Sequence, residues 1–326
     1  MINKQVMVGL LQLSIAAGLL VLLFYHLDMQ KVGELIGQAT PVYLYLALLV
    51  LVSQMAVAGY RWLYLLRMAA YHPKLEQCVG SFAAGALVNA VLPGGIGGDM
   101  MRMWVTKRIG IPTKTAIYSV VVDRIIALVG LGVLVALVSL GYMITTTSEP
   151  DMMEWIALAI GVVLLGGIVG LGLFAPVIQH FHVTLPSLFS PIMDLSRMVG
   201  LIAHHPRQLA VMVMIILAGH GLLITSIIAI SYGLHAPLEL AVACIALPMA
   251  LLLSAIPITP GGWGIREGAM VLVLGQFGIA AEIALSISIV FGIGSTLATL
   301  PAASWWFGRR SWRKQLDTAA TDSAAQ

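Results

Sequence analysis

Long apolar runs, separated by short polar stretches, dominate the chain. Six of these runs have about 20 residues or more, the length that an α-helix needs to cross the hydrocarbon core of a bilayer. They cover residues 6–25, 42–66, 115–142, 155–177, 208–233 and 281–306. The pattern therefore predicts six membrane-spanning helices.

Two further apolar runs are shorter and end in glycine and proline. The first, 77–92, closes in the sequence LPGG, and the second, 239–256, leads into PITPGG. Another short stretch follows each run, at 100–106 and at 268–277. Because proline and glycine interrupt helices, each pair of stretches is predicted to form a helical hairpin.

The distribution of basic residues predicts how these hairpins lie in the membrane. Cytoplasmic loops of membrane proteins carry an excess of lysine and arginine. If all eight runs cross, the basic residues outside the membrane divide equally between its faces, eight to eight. If each hairpin enters and leaves on one face, fourteen lie inside and only Lys31 lies outside, while Arg124 and Arg266 stay within the membrane. We therefore predict two re-entrant hairpins, with both termini in the cytoplasm and an acidic outer loop at 143–154.

The two halves of the chain share one pattern. The sequence PGGIG at 93–97 aligns with PGGWG at 260–264, an offset of 167 residues (260 − 93). The spans that flank the hairpins show nearly the same offset. Because each half, about 1–145 and 150–310, holds three spans, the second half is predicted to be inverted relative to the first. Inverted repeats with broken helices that meet near the midplane are typical of transporters.

Composition places nearly the whole chain in the membrane. Of the 326 residues, 60% are hydrophobic and 10% are charged, whereas soluble domains are about 25% charged. No segment outside the membrane is long enough for a soluble catalytic domain. We therefore expect an all-α integral membrane protein: one transmembrane domain over 1–314, with six spanning helices and two re-entrant hairpins in an inverted repeat, and a disordered cytoplasmic tail at 315–326.

The glycine-rich tips of the hairpins are predicted to lie inside the protein. Irregular backbone at membrane depth is tolerated only where protein or a water-filled cavity covers it. A turn at the membrane surface would explain a single PGG sequence, but two matched copies favour tips that meet. The free N–H groups at the start of a half-helix would then attract an anion. The residues assigned to the two tips are Asn89, Pro93, Gly94, Gly95, Gly97, Gly98, Pro257, Pro260, Gly261, Gly262 and Gly264.

Charged residues near the tips are candidates for a head-group site. Asp123 and Arg124 lie about 13 Å into the third span, where an ionisable side chain is costly unless it is paired or hydrated. Neighbouring side chains on a helix point about 100° apart, so each is expected to pair with a hairpin instead of with the other. The candidate partners are Arg102 or Arg266 for Asp123, and Asp99 or Glu267 for Arg124. A purely structural clamp between helices is the alternative interpretation.

Arginine recognises phosphate with two parallel hydrogen bonds, which makes Arg102 and Arg266 the main candidates for binding a lipid phosphate. The alternative for Arg102 is that it belongs to the basic cytoplasmic residues that follow it. Asn89 and His220 are expected to hydrogen-bond between helices, and Arg61 with Trp62 to anchor the end of the second span at the interface. The predicted substrate-binding residues are Asp99, Arg102, Asp123, Arg124, Arg266 and Glu267.

These motifs resemble a known family. The matching residues, in order, are Leu92-Pro93, Gly97-Gly98-Asp99, Arg102, Val122-Asp123-Arg124, Pro257, Pro260-Gly261-Gly262, Gly264 and Arg266-Glu267. Together they resemble the lysylphosphatidylglycerol synthase transmembrane-region family, also called flippase-like, over essentially the whole chain. In larger relatives this membrane unit is fused to a cytoplasmic domain that aminoacylates phosphatidylglycerol, and the membrane unit is implicated in flipping the product. That domain is not found in this sequence, so the resemblance implies lipid handling without lipid synthesis.

We therefore expect a flippase-like transporter, not an enzyme, that handles a phosphate-bearing or polyprenyl-type lipid as a multi-pass protein of the inner membrane. The expected partner is a membrane lipid, with lipid-biosynthesis proteins as further candidates and no nucleic acid. No catalytic residue, metal or cofactor is expected. One alternative is a membrane-embedded, glycosyltransferase-like enzyme, although the sequence has no Asp-x-Asp pair and no Walker A or His-Glu-x-x-His motif. Another is a scaffold for a lipid-synthesis complex.

Overall fold

The regular elements of the described chain are helices, and none is a strand. The computed structural model describes residues 4–91, 97–145, 152–180, 190–203, 205–255 and 259–308. The α-helices are α1 Lys4–His26, α2 Met29–Gly37, α3 Pro41–Met68, α4 Leu75–Val91, α5 Gly97–Arg108, α6 Thr113–Thr145, α7 Met152–His180, α8 Ser190–Ala203, α9 Pro206–Gly233, α10 Leu240–Ser254, α11 Ile265–Gln276 and α12 Ala281–Gly308. A short 3-10 helix, Pro260–Gly262, precedes α11. The predicted tail at 315–326 and the centre of the predicted outer loop lie outside the described residues.

Six helices are long and apolar enough to cross a membrane: α1, α3, α6, α7, α9 and α12. They coincide with the six predicted spans. Large apolar side chains cover their outer surfaces, such as Leu137 on α6 and Val163 on α7, which are 60% and 71% exposed. Such surfaces suit a lipid environment. The prediction of an all-α membrane protein with six spanning helices is confirmed.

Four shorter helices, α4, α5, α10 and α11, form the two predicted helix pairs. α4 packs against α5, and α10 packs against α11. The second members of the pairs have the same length, 12 residues each. Re-entry of these pairs into the membrane from opposite faces stays a prediction.

The packing partners of the two helix pairs correspond. α4 contacts α3 and α12, and α10 contacts α9 and α6. In each case the first contact is with the preceding long helix, and the second is with a helix from the other half of the chain. α3 and α9, the corresponding long helices, also pack against each other. Both pairs therefore lie at the centre of the molecule, between helices from both halves. The inverted orientation of the halves stays a prediction.

Candidate functional site

The turn before α11 lies against the end of α4. Gly261, Gly262 and Gly264 have positive φ angles of 59°, 74° and 84°, a region that glycine adopts without steric cost. A β-carbon at position 261 would lie 3.3 Å from the Cα of Ala90, in the last turn of α4. The second tip therefore meets the helix that leads into the first tip. Among the residues assigned to the tips, Pro93, Gly94, Gly95 and Pro257 lie outside the described residues.

The first helix pair is held together by direct backbone contact. A β-carbon on Gly85 of α4 would lie 2.6 Å from the carbonyl oxygen of Gly98 on α5. The backbone N–H of Gly98 donates to Oδ1 of Asn89 over 2.8 Å. Asn89 thus satisfies one of the free N–H groups at the start of α5. The expected hydrogen bond of Asn89 between helices is confirmed.

A buried ionic cluster joins α3, α5 and α6. Asp123 accepts hydrogen bonds from Arg61 Nε and from Arg102 Nη2, each over 2.8 Å. The three residues are 1%, 7% and 4% exposed. The expected pairing of Asp123 with Arg102 is confirmed. Arg61 was expected to anchor the end of its span at the interface, and this is wrong, because α3 continues beyond Arg61 to Met68 and turns the side chain into the protein.

Aromatic rings complete the surroundings of Arg102. Its Cζ lies 4.4 Å from the centroid of the Trp62 ring and 4.8 Å from that of Phe82, distances typical of cation–π contacts. Trp62 itself is buried and its Nε1–H donates to Ser119 over 3.2 Å. The burial of Arg102 excludes the alternative in which it belongs to the basic surface residues that follow it in the chain.

Arg124 forms an ion pair with Asp99 and is more accessible than Arg61 and Arg102. Its Nε lies 2.5 Å from Asp99 Oδ2, and its side chain is 44% exposed, compared with 5% for Arg102. The expected pairing of Arg124 with Asp99 is confirmed. Asp123 and Arg124 point to different partners, as their neighbouring positions on one helix predicted.

A second ionic group lies at the start of α11. Arg266 Nη2 donates to Glu267 Oε1 over 2.6 Å, and Ser288 donates to the same oxygen over 3.2 Å. Glu267 Oε2 accepts the backbone N–H of Gly264 over 2.6 Å. Glu267 therefore occupies the anion position at this helix N-terminus, and it pairs with Arg266 instead of with Arg124.

Two neighbouring cavities lie between the helix pairs. The first, of about 260 Å³, we call the ionic chamber; its charged lining residues are Arg61, Asp99, Arg102, Asp123 and Arg124. The second, of about 310 Å³, we call the hydroxyl chamber; its polar lining residues are Asn89, Arg124, Ser254, Thr259, Trp263, Arg266, Ser295, Thr296 and Thr299. Both chambers are also bounded by Ala86 and Ala255, so Asn89 and Arg124 belong to the wall that they share.

Five of the six predicted site residues thus line one or both chambers, whereas Glu267 is fully buried behind Arg266. Sequence reasoning missed Arg61 and the five hydroxyl side chains of the hydroxyl chamber. An arginine followed by tryptophan inside a long apolar run was a usable signal for Arg61. His220 lines neither chamber; its Nε2 lies 3.0 Å from the carbonyl oxygen of Ala127, which confirms the expected bond between helices.

Comparison with known protein families gives a match over residues 9–302 to the family described as the lysylphosphatidylglycerol synthase TM region. No curated protein matches the chain. The family match covers every described helix in whole or in part, including both chambers. The chain therefore belongs to the lysylphosphatidylglycerol synthase transmembrane-region family and is a lipid-related membrane protein.

Proposed function

We propose that this protein moves a lipid with a phosphate-bearing head group across the membrane. The observation that carries the proposal is the charge balance of the ionic chamber. Three arginines and two aspartates line it, so the described charged lining residues carry an excess of one positive charge. An unbalanced buried charge is costly. A phosphodiester, with its single negative charge, would balance it.

Arg124 is the residue best placed to receive the phosphate. Arg61 and Arg102 are both bound to Asp123 and are nearly inaccessible. Arg124 lies at the chamber wall, where its ion pair with Asp99 is partly exposed. A phosphate group can replace the Asp99 carboxylate on Arg124 with little change in geometry, because both groups offer two oxygens to the guanidinium group.

The proposed path of the lipid is consistent with the same geometry. The head group enters the polar chambers, where side chains replace its water, while the hydrocarbon tails stay in the bilayer. This requires the chambers to open sideways between the spanning helices. Displaced Asp99 can take Arg124 back after the head group leaves, which resets the site.

The test is lipid movement in proteoliposomes. Purified protein is reconstituted with tail-labelled phosphatidylglycerol, and movement between leaflets is followed by chemical quenching of the outer leaflet. We expect faster movement than in empty liposomes. Arg124→Gln should slow it about tenfold or more, because a charge-assisted bidentate contact is lost. The matched control is Arg197→Gln, which removes an arginine whose ion pair with Asp194 on α8 is exposed.

The outcomes separate transport from its alternatives. If the wild-type protein moves phosphatidylglycerol, phosphatidic acid and a polyprenyl phosphate no faster than empty liposomes, transport is contradicted and a scaffold is favoured. If mass spectrometry finds a chemically altered lipid, an enzyme is favoured. Equal rates for Arg124→Gln and the wild type would overturn the role of Arg124.

A further inference from the structure

The hydroxyl chamber presents hydrogen-bond acceptors to its interior. Four of its hydroxyl groups donate their protons to backbone carbonyls three or four residues earlier in their own helices, over 2.7–2.9 Å. These groups belong to Ser254, Ser295, Thr296 and Thr299. A hydroxyl has one proton and two lone pairs, so each of them keeps lone pairs that can accept a hydrogen bond.

Thr259 differs from the other hydroxyl residues of this chamber. It lies just before the 3-10 turn, is 2% exposed and lines the chamber. Its Oγ1 has no hydrogen-bond partner among the described residues. Because an unsatisfied buried hydroxyl is costly, this atom indicates a ligand group that can both accept and donate a hydrogen bond.

The charges around the chamber exclude a cationic ligand group. Arg124 and Arg266 line it, whereas no carboxylate does among its described lining residues. Glu267 is turned away, since its two oxygens accept from Gly264, Arg266 and Ser288. An ammonium group would meet two arginines and no counter-ion. A second phosphate is also disfavoured, because its oxygens would face hydroxyl lone pairs.

We propose that the hydroxyl chamber binds a neutral polyol or sugar group of the lipid head group, while the phosphate that carries this group binds at Arg124 on the shared wall. Ligand hydroxyls donate to the four acceptor side chains and accept from Thr259. The substrate class is therefore a polyol-phosphate or glycosyl-phosphate lipid instead of an aminoacylated one. This inference rests on the proposed function and specifies the lipid that it moves.

The test compares head groups in the same liposome assay. The probes are tail-labelled phosphatidylglycerol, phosphatidylinositol, phosphatidic acid, phosphatidylethanolamine and lysylphosphatidylglycerol. We expect the wild type to move phosphatidylglycerol or phosphatidylinositol faster than phosphatidic acid, and the two amine-bearing lipids most slowly. Which of the first two moves faster distinguishes a linear polyol from a sugar-like ring.

Variants in the chamber provide the second arm. Thr259→Val removes the hydroxyl at nearly constant volume and should slow the movement of the hydroxyl-bearing lipids about tenfold, with phosphatidic acid unchanged. Thr225→Val is the matched control, because Thr225 is exposed on α9 and bonds to its own helix. Thermal unfolding in detergent shows whether Thr259→Val folds. If it does not, Thr296→Val tests the hydroxyl groups that α12 contributes to the chamber.

Three results would decide against the inference or its basis. Equal rates for all five lipids, with both chamber variants like the wild type, would overturn the polyol site and leave transport intact. Preference for lysylphosphatidylglycerol would overturn it as well. Absence of movement for every probe would instead contradict the proposed function itself.

Discussion

Arg61 on α3 and Asp123 on α6 form a buried ion pair of 2.8 Å, although they are 62 residues apart in the sequence. Arg102 of α5 shares the same carboxylate. One aspartate therefore connects two long helices with the first helix pair, and it holds two of the arginines that line the ionic chamber.

Removal of this carboxylate should destabilise the protein strongly. Asp123→Asn leaves Arg61 and Arg102 buried without a counter-ion, and breaking a buried ion pair costs on the order of 3–5 kcal/mol. Thermal unfolding in detergent should show a large drop in Tm or loss of folded protein. The control is Asp194→Asn, whose partly exposed pair with Arg197 should cost less than about 1 kcal/mol. Equal Tm values for the two variants would contradict a structural role for Asp123.

The contact between α4 and α5 should not tolerate a side chain. Gly85→Ala places a β-carbon 2.6 Å from the Gly98 carbonyl oxygen, so the two backbones must separate. We expect a lower Tm and slower lipid movement. Gly166→Ala on α7 is the control, since no atom lies within 4 Å of its β-carbon. A Gly85→Ala protein with wild-type stability and transport would show that the helices do not pack this closely.

The position of Arg266 depends on Gly292. A β-carbon at position 292 would collide with the Arg266 guanidinium, which lies at the end of a flexible side chain and can move. Gly292→Ala should therefore fold but displace Arg266 from Glu267, and lipid movement should fall severalfold with only a small change in Tm. Gly275→Ala on α11 is the matched control, because its β-carbon meets open space. Unchanged transport in Gly292→Ala would remove Arg266 from the proposed site.

The predicted topology places Lys107 and Glu149 on opposite sides of the membrane. Single cysteines at these positions, introduced after replacement of Cys78 and Cys244, should react with an impermeant thiol reagent from opposite faces. The cysteine at position 149 should react in intact cells, and the cysteine at position 107 only after permeabilisation. Reaction of Lys107 in intact cells would contradict re-entry of the first helix pair.

The sequence predicted the spans and part of the charge cluster, because both follow from local rules. Apolar length gives the six helices, and the cost of lone charges in a membrane requires that Asp123 and Arg124 find partners. Of the two candidate partners predicted for each residue, the structure shows Arg102 for Asp123 and Asp99 for Arg124.

Other features depend on three-dimensional packing. Arg61 lies near the end of an apolar run, and its burial against Asp123 depends on the packing of α3 on α6. Glu267 turns back to the N-terminus of its own helix, so it is not free to reach Arg124. The hydroxyl chamber draws residues from six helices and a turn, and single serines and threonines in apolar runs give no signal of their own.

The packing of α4 on α12 has a consequence for how the protein is made. A ribosome delivers the first helix pair to the membrane long before α12, the last described helix, so for most of synthesis α4 lacks its packing partner from the other half of the chain. The hydroxyl chamber, which Ser295, Thr296 and Thr299 of α12 line, closes only after α12 is inserted. Maturation of this chamber is thus coupled to synthesis of α12, and an arrested nascent protein that lacks α12 leaves the hydroxyl chamber open to lipid or to the cell's insertion machinery.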